Sequence, residues 1–79
     1  MPRVKVYTTP SCPYCYMLKE YLRANKVDFE DVDVSSDYEA AMEMIEKSGQ
    51  RGVPVADIDG HIVVGFDQPR IARLLNLRR

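Results

Sequence analysis

Cys12-Pro13-Tyr14-Cys15 constrains this chain more than any other stretch: it holds the only two cysteines and stands where a strand pattern hands over to a helix pattern. A sulfur at the start of a helix faces backbone N–H groups without helical partners and the positive end of the helix dipole. Both favour thiolate over thiol, and the thiolate is the nucleophile of disulfide exchange. Pro13 suits the first helical position, where its missing N–H costs nothing. Cys15 follows three residues on, so it shares a helix face with Cys12. One sulfur is placed to attack and the other to resolve, as a redox disulfide pair. As a structural staple the pair would be poor, because so short a loop removes little entropy from the unfolded chain.

The chain is 79 residues long, which predicts a single domain over 1–79, and its hydrophobic share of 46% supports a packed core. Net charge is −1 with both signs dispersed. No basic stripe points to nucleic acid and no acidic tail to a charge-driven partner. No apolar stretch approaches membrane-spanning length, and Met1-Pro2-Arg3 runs straight into a strand pattern, so no signal peptide is expected. These features predict a cytoplasmic monomer with no membrane partner. In that compartment a CxxC is catalytic or metal-binding rather than a structural bridge. Structural zinc wants four ligands. Two cysteines and the lone His61 do not supply them, so no metal site is expected within one chain. A dimer sharing two CxxC pairs is the form that would hold zinc or an iron–sulfur cluster.

Val4, Val6 and Tyr7 mark a strand within 3–8, and Thr8-Thr9-Pro10-Ser11 a loop. A helix follows from Pro13 to Asn25, with Cys15, Leu18 and Leu22 on its core face and Tyr14, Met17 and Tyr21 on a partly exposed stripe. Residues 27–34 alternate apolar and acidic, the period of a half-buried strand with Glu30–Asp33 supplying its solvent side. Ser35-Ser36-Asp37 can cap a second helix whose expected core face is Tyr38, Ala41, Met42 and Ile45, ending near Ser48-Gly49. Met17, Met42 and Met44 are expected to pack. Residues 53–58 and 61–64 form a hairpin around Asp59-Gly60. Asp67 caps a last helix with Pro69 in its first turn and Ile71, Leu74 and Leu75 inward. The order is β-α-β-α-β-β-α. Strands joined through helices are expected to be parallel and the hairpin antiparallel, giving an α/β fold with a four-stranded mixed sheet flanked by three helices.

Tyr7-Thr8-Thr9-Pro10-Ser11-Cys12-Pro13-Tyr14-Cys15 resembles the active-site segment of glutaredoxins. Arg51-Gly52-Val53-Pro54 resembles that family's second segment, and Val64-Gly65-Phe66-Asp67 its third. The three occur in family order and the likeness covers nearly the whole chain. It implies a thioredoxin-like fold and a dithiol–disulfide oxidoreductase that reduces protein disulfides and glutathione mixed disulfides. No bound cofactor is implied; glutathione is the implied reductant. Within it Cys12 attacks and Cys15 resolves. Val53-Pro54 would be cis and face the disulfide site, turning the Val53 backbone toward an extended ligand. Tyr14 would pack against substrate, and Arg51 would pair with a glutathione carboxylate. Gly65, Phe66 and Asp67 would form the turn that holds the γ-glutamyl end. Three positions depart from the pattern: Thr9 stands where many glutaredoxins have Lys, Gly52 where Thr is common, and Val64 where the family has Gly. All three touch the glutathione pocket rather than the dithiol. The chain therefore also resembles small glutaredoxin-like (NrdH-like) redoxins, some of which draw electrons from thioredoxin reductase or a related flavoprotein. His61 is read as solvated or structural.

Overall fold

The computed structural model describes residues 2–77. The expected domain extends to residues 1, 78 and 79, which lie outside the described residues. Seven elements follow in the expected order: β1 Val4–Thr8, α1 Pro13–Ala24, β2 Glu30–Asp33, α2 Tyr38–Ser48, β3 Val55–Ile58, β4 His61–Val64 and α3 Gln68–Leu74. The sheet order is β2-β1-β3-β4.

Period-two alternation in β1 divides the molecule into two layers. Val4 and Val6 face one way and join Leu18 and Leu22 of α1, Ala56 and Ile58 of β3, Val63 of β4 and Ile71 of α3. Tyr7 faces the other way, with Val55 of β3 and Met44 of α2. Each fully buried Leu or Ile contributes about 1.5–3 kcal/mol of transfer free energy.

β1 and β2 are parallel, but β3 is antiparallel to β1, and so it also runs against β2 although α2 joins them. The expectation that helix-joined strands are parallel holds for β1 and β2 and is corrected for β2 and β3. Asp37 and Glu39, at the start of α2, line a hollow with Lys5 and Glu30. Its last turn reaches β3 through Lys47 and Asp57. The helix has crossed the sheet, and the chain enters β3 beside the end of β1.

The core face of α2 also differs from expectation. Ala40 and Met44 are buried, while Tyr38 is 77% exposed and Met42 45%. Residues 38 and 42 and residues 40 and 44 are both i, i+4 pairs, so helical spacing alone does not choose between them. The small Ala40 lets the helix approach the sheet, which turns Tyr38 and Met42 to solvent. Met17 is likewise 46% exposed rather than packed. β2 is shorter than 27–34, because Val27 and Phe29 pack against the core before pairing with β1 begins at Glu30. β3 begins at Val55 rather than at 53.

Caps fall where the sequence places them. Asp37 accepts the Ala40 N–H at 3.0 Å, and Asn25 and Gly49 close α1 and α2. Asp59 and Gly60 both have positive φ, 51° and 90°, the geometry of a type I′ hairpin turn.

A charged seal rims the α2 face. The fully buried Tyr7 hydroxyl donates to Glu43 and accepts from Lys47, each at 2.8 Å. Lys5 pairs with Glu43 at 3.0 Å, and Lys47 with Asp57 at 2.7 Å. Burial pushes the Tyr7 phenol up against the pull of Lys47. Desolvation would lower Lys47, but its hydrogen bonds to Asp57 and Tyr7 outweigh it and raise the ammonium well above its ordinary value.

Candidate active site

Strand register brings three separate stretches of chain to one end of the sheet. Tyr7 lies opposite Val55, and Val55 opposite Val64. The loop after Thr8, the residues before Val55 and the residues after Val64 therefore emerge side by side. The first carries Cys12, the second Val53 and Pro54, the third Gly65, Phe66 and Asp67. The Gly65 N–H donates to the Pro54 carbonyl at 2.8 Å, and Cys12 Sγ lies 4.0 Å from the Val53 carbonyl oxygen. The Val53-Pro54 bond is cis.

Cys12 is the N-cap of α1. Its backbone is extended (φ −108°, ψ 112°), and its sulfur accepts the Cys15 N–H at 3.1 Å. Pro13 opens the first turn, where no N–H is needed. The sulfur thus replaces the side-chain oxygen that usually satisfies such an end. Both cysteines are free thiols, Cys12 half-buried and Cys15 only 1% exposed. Burial pushes the Cys15 thiol up to about 11, and its hydrogen bond with Cys12 pushes the same way. The Thr9 backbone and the Lys19 charge pull it partly back. At neutral pH Cys15 is a shielded, protonated thiol, and Cys12 is the sulfur a partner can reach.

The other expected residues are less uniform. Tyr14 projects from the first turn of α1, 62% exposed. Val53 is partly buried against the α2-side cluster. Arg51 is exposed in the loop before it. Phe66 packs on the α1-side core with its ring centroid 5.7 Å from that of Tyr21, so it ties the third segment down. Asp67 caps α3 by accepting the Arg70 N–H at 3.3 Å. Gly65 has φ +79°, and an added Cβ would meet nothing there. Its glycine answers to backbone conformation, not to space.

Sequence reasoning missed a second polar constellation near the cysteines. Thr8 is buried, and its hydroxyl donates to Asp31 Oδ1 at 2.7 Å. Lys19 donates to Asp31 Oδ2 at 2.9 Å. Burial would raise the Asp31 carboxyl, but Lys19 and Thr8 hold it below its ordinary value. Asp31 is thus more than the solvent side of a strand. Helical spacing puts Lys19 i+4 from Cys15, but nothing local in the sequence shows that it meets Asp31. Tyr16, 64% exposed one turn after Cys12, was also passed over.

Among the described residues no group of three or more His, Cys, Asp or Glu side chains could hold a metal ion, and no helix is long and apolar enough to cross a membrane.

The glutaredoxin family model matches residues 4–63. A glutaredoxin-like 8.6 kDa protein of the rubredoxin operon of Clostridium pasteurianum is 47% identical over 72 residues, 91% of this chain and 96% of that protein. Among solved structures, a mutant of the thioredoxin-like protein BC3987 superposes with a TM-score of 0.92 at 35% identity, covering 99% of this chain and 100% of that one. The glutaredoxin-like NrdH-redoxin of Escherichia coli, described as having a thioredoxin-like activity profile, gives 0.80 at 30% identity over 91% and 93%. With a four-stranded mixed sheet, three helices and a CxxC at the start of α1, the chain has a thioredoxin-like fold and belongs to the glutaredoxin family.

Proposed function

We propose that this protein is a dithiol–disulfide oxidoreductase that reduces protein disulfides and glutathione mixed disulfides and is itself reduced by glutathione. The asymmetry of the two sulfurs carries the reading: Cys12 is accessible at a helix N-cap, and Cys15 is buried one turn inside. Cys12 thiolate attacks a substrate disulfide, forming a mixed disulfide and expelling the first substrate thiolate, which takes a proton from water. Cys15 loses its proton to solvent and attacks Cys12 Sγ. The Cys12–Cys15 bond forms, the second substrate sulfur leaves, and the substrate has gained two electrons. With a glutathionylated substrate, glutathione itself can resolve the intermediate on Cys12.

Tyr14 and the Val53 backbone flank the attacking sulfur on this reading, with Pro54 beneath them. Arg51, Gly65, Phe66 and Asp67 form the side that receives glutathione. The protein works as a monomer, and a dithiol that must stay reduced fits the cytoplasm.

A second reading, reduction by a thioredoxin-reductase-like flavoprotein, draws on Thr9, Gly52 and Val64, the three departures around the glutathione pocket. Loss of one exposed charge contact costs on the order of 1 kcal/mol or less, so Thr9 weakens glutathione use rather than ending it. NADPH oxidation decides, run with glutathione and glutathione reductase beside NADPH with thioredoxin reductase. Turnover in the first arm is expected. Turnover confined to the second would replace glutathione with the flavoprotein as electron donor.

A further inference from the structure

The three polar side chains beneath α1 do not belong to the glutathione side of the site, and they lie on the same face of the sheet as Cys15. Thr8 ends β1 and is 2% exposed. Its hydroxyl fixes one oxygen of Asp31, and Lys19 takes the other. The Lys19 side chain is 20% exposed and that of Asp31 39%, so the lysine stem lies against the protein while the ion pair itself stays open to water. Helical side chains tilt toward the helix N-terminus, so residue 19 overhangs the turn that contains Cys15.

We propose that Lys19, anchored by Asp31 and Thr8, is a positioning residue for the resolving step: its fixed ammonium stabilises the Cys15 thiolate as that sulfur gives up its proton and attacks Cys12. The inference rests on the dithiol reading above.

The resolving step needs such help because Cys15 is buried and reluctant to ionise. The groups around it are few. α1 and its N-cap contribute Lys19 and Cys12, and the loop after β1 contributes the Thr9 backbone. β2 contributes Asp31 through its pair with Lys19. From β3 and the loop before it come the apolar Pro54 and Ala56, while Asp57 is engaged with Lys47 on the other face. In α3 the inward residues are Ile71 and Ala72, and Asp67, Arg70 and Arg73 are exposed. Lys19 is therefore the cation whose charge favours the Cys15 thiolate, and Asp31 tempers that charge while holding it in place.

The test separates the two chemical steps. Reduced protein mixed with one equivalent of dithiodipyridine, an uncharged probe, releases a first thiopyridone when Cys12 attacks. The second is released when Cys15 displaces it from Cys12. Lys19→Met is expected to slow the second release about three- to tenfold at neutral pH and to move its pH midpoint up by about half to one unit. Lys19→Arg is expected to restore both within about twofold, because it keeps the charge. Thr8→Val, which frees Asp31 without touching Lys19, is expected to move the midpoint the same way by less, and it stands in if Lys19→Met does not fold. An unmoved midpoint in the folded variants overturns the proposal, as does a Lys19→Arg protein as slow as Lys19→Met. If the parent protein releases only one thiopyridone, the dithiol reading itself fails.

Discussion

On the face covered by α1 and α3, the sheet meets Leu18, Leu22 and Ile71 over Val4, Val6, Ala56, Ile58 and Val63. On the face covered by α2 it meets only Met44 among the buried residues of that helix's cluster, with Tyr7 and Val55 below and Lys5, Glu43, Lys47 and Asp57 around them. One face is dry and deep, the other thin and sealed by charge. Cys15 stands at the end of the dry face, where few polar groups compete for its proton. On the dithiol reading proposed above, such a site keeps Cys15 protonated until a mixed disulfide forms. A rim like that around Tyr7 would surround the sulfur with permanent charges. The difference shows how a small domain divides its tasks, with the apolar layer and the single Lys19–Asp31 pair beside Cys15 and the larger charged network around Tyr7 on the other side.

The largest expected effect falls on the site at the edge of the dry face. Cys12→Ser should reduce disulfide reductase activity to the uncatalysed background. Cys15→Ser should lose reduction of protein disulfides yet keep exchange with glutathionylated substrates. Trapping each variant with a disulfide substrate and mapping the adduct checks the assignment. A faster-forming adduct on Cys15 of the Cys12→Ser protein would reverse the roles.

Core truncation tests the depth of the two faces. Leu18→Ala should cost about 2–5 kcal/mol, because its neighbours are held by two helices and cannot close the cavity. Met44→Ala should fall at the low end of that range, since the long side chains around α2 can settle inward. Urea unfolding of both variants gives the comparison. Equal losses would mean that the α2 face is as tightly built as the other.

Reduced protein should also lose stability in alkali through Cys15. The folded state holds that proton up to about pH 11, whereas the ordinary value is 9.0. Between these values the native state binds more protons than the unfolded state, so stability falls as pH rises from about 9 to about 11. The contribution is on the order of 2 kcal/mol. Cys15→Ala should flatten this part of the profile, measured by denaturation midpoints across the window. An unchanged slope would place the alkaline loss on Tyr7 and the lysines of the other face.

The legibility of the sequence follows the same division. Period, caps and the Asp59-Gly60 turn gave every element and its order, because those signals are local. The cysteine pair and the three segments of the site were readable from the family pattern. The direction of β3 was not, since it depends on how α2 crosses the sheet. The buried stripe of α2 was ambiguous because two i, i+4 pairs fit one helical period. The Thr8–Asp31–Lys19 and Tyr7–Lys47–Asp57 contacts were invisible because each joins residues distant in sequence, whose meeting is set only by strand register.

The smallest effect is one substitution made on both faces. The Tyr7 hydroxyl has two charged partners, Glu43 and Lys47. Tyr7→Phe removes that bridge but leaves Lys47 with Asp57 and Glu43 with Lys5, all within reach of water, so the expected cost is about 1 kcal/mol. Tyr21 packs against Phe66 on the dry face, and among the described residues its hydroxyl is a buried atom without a hydrogen-bond partner. Tyr21→Phe deletes an unsatisfied polar group and keeps the ring, so it should be neutral or slightly stabilising. Thermal or urea unfolding of the two variants side by side reads the difference in sign. Equal destabilisation would show that the Tyr21 hydroxyl has found a partner, and that the α1 face is less dry than its apolar side chains make it.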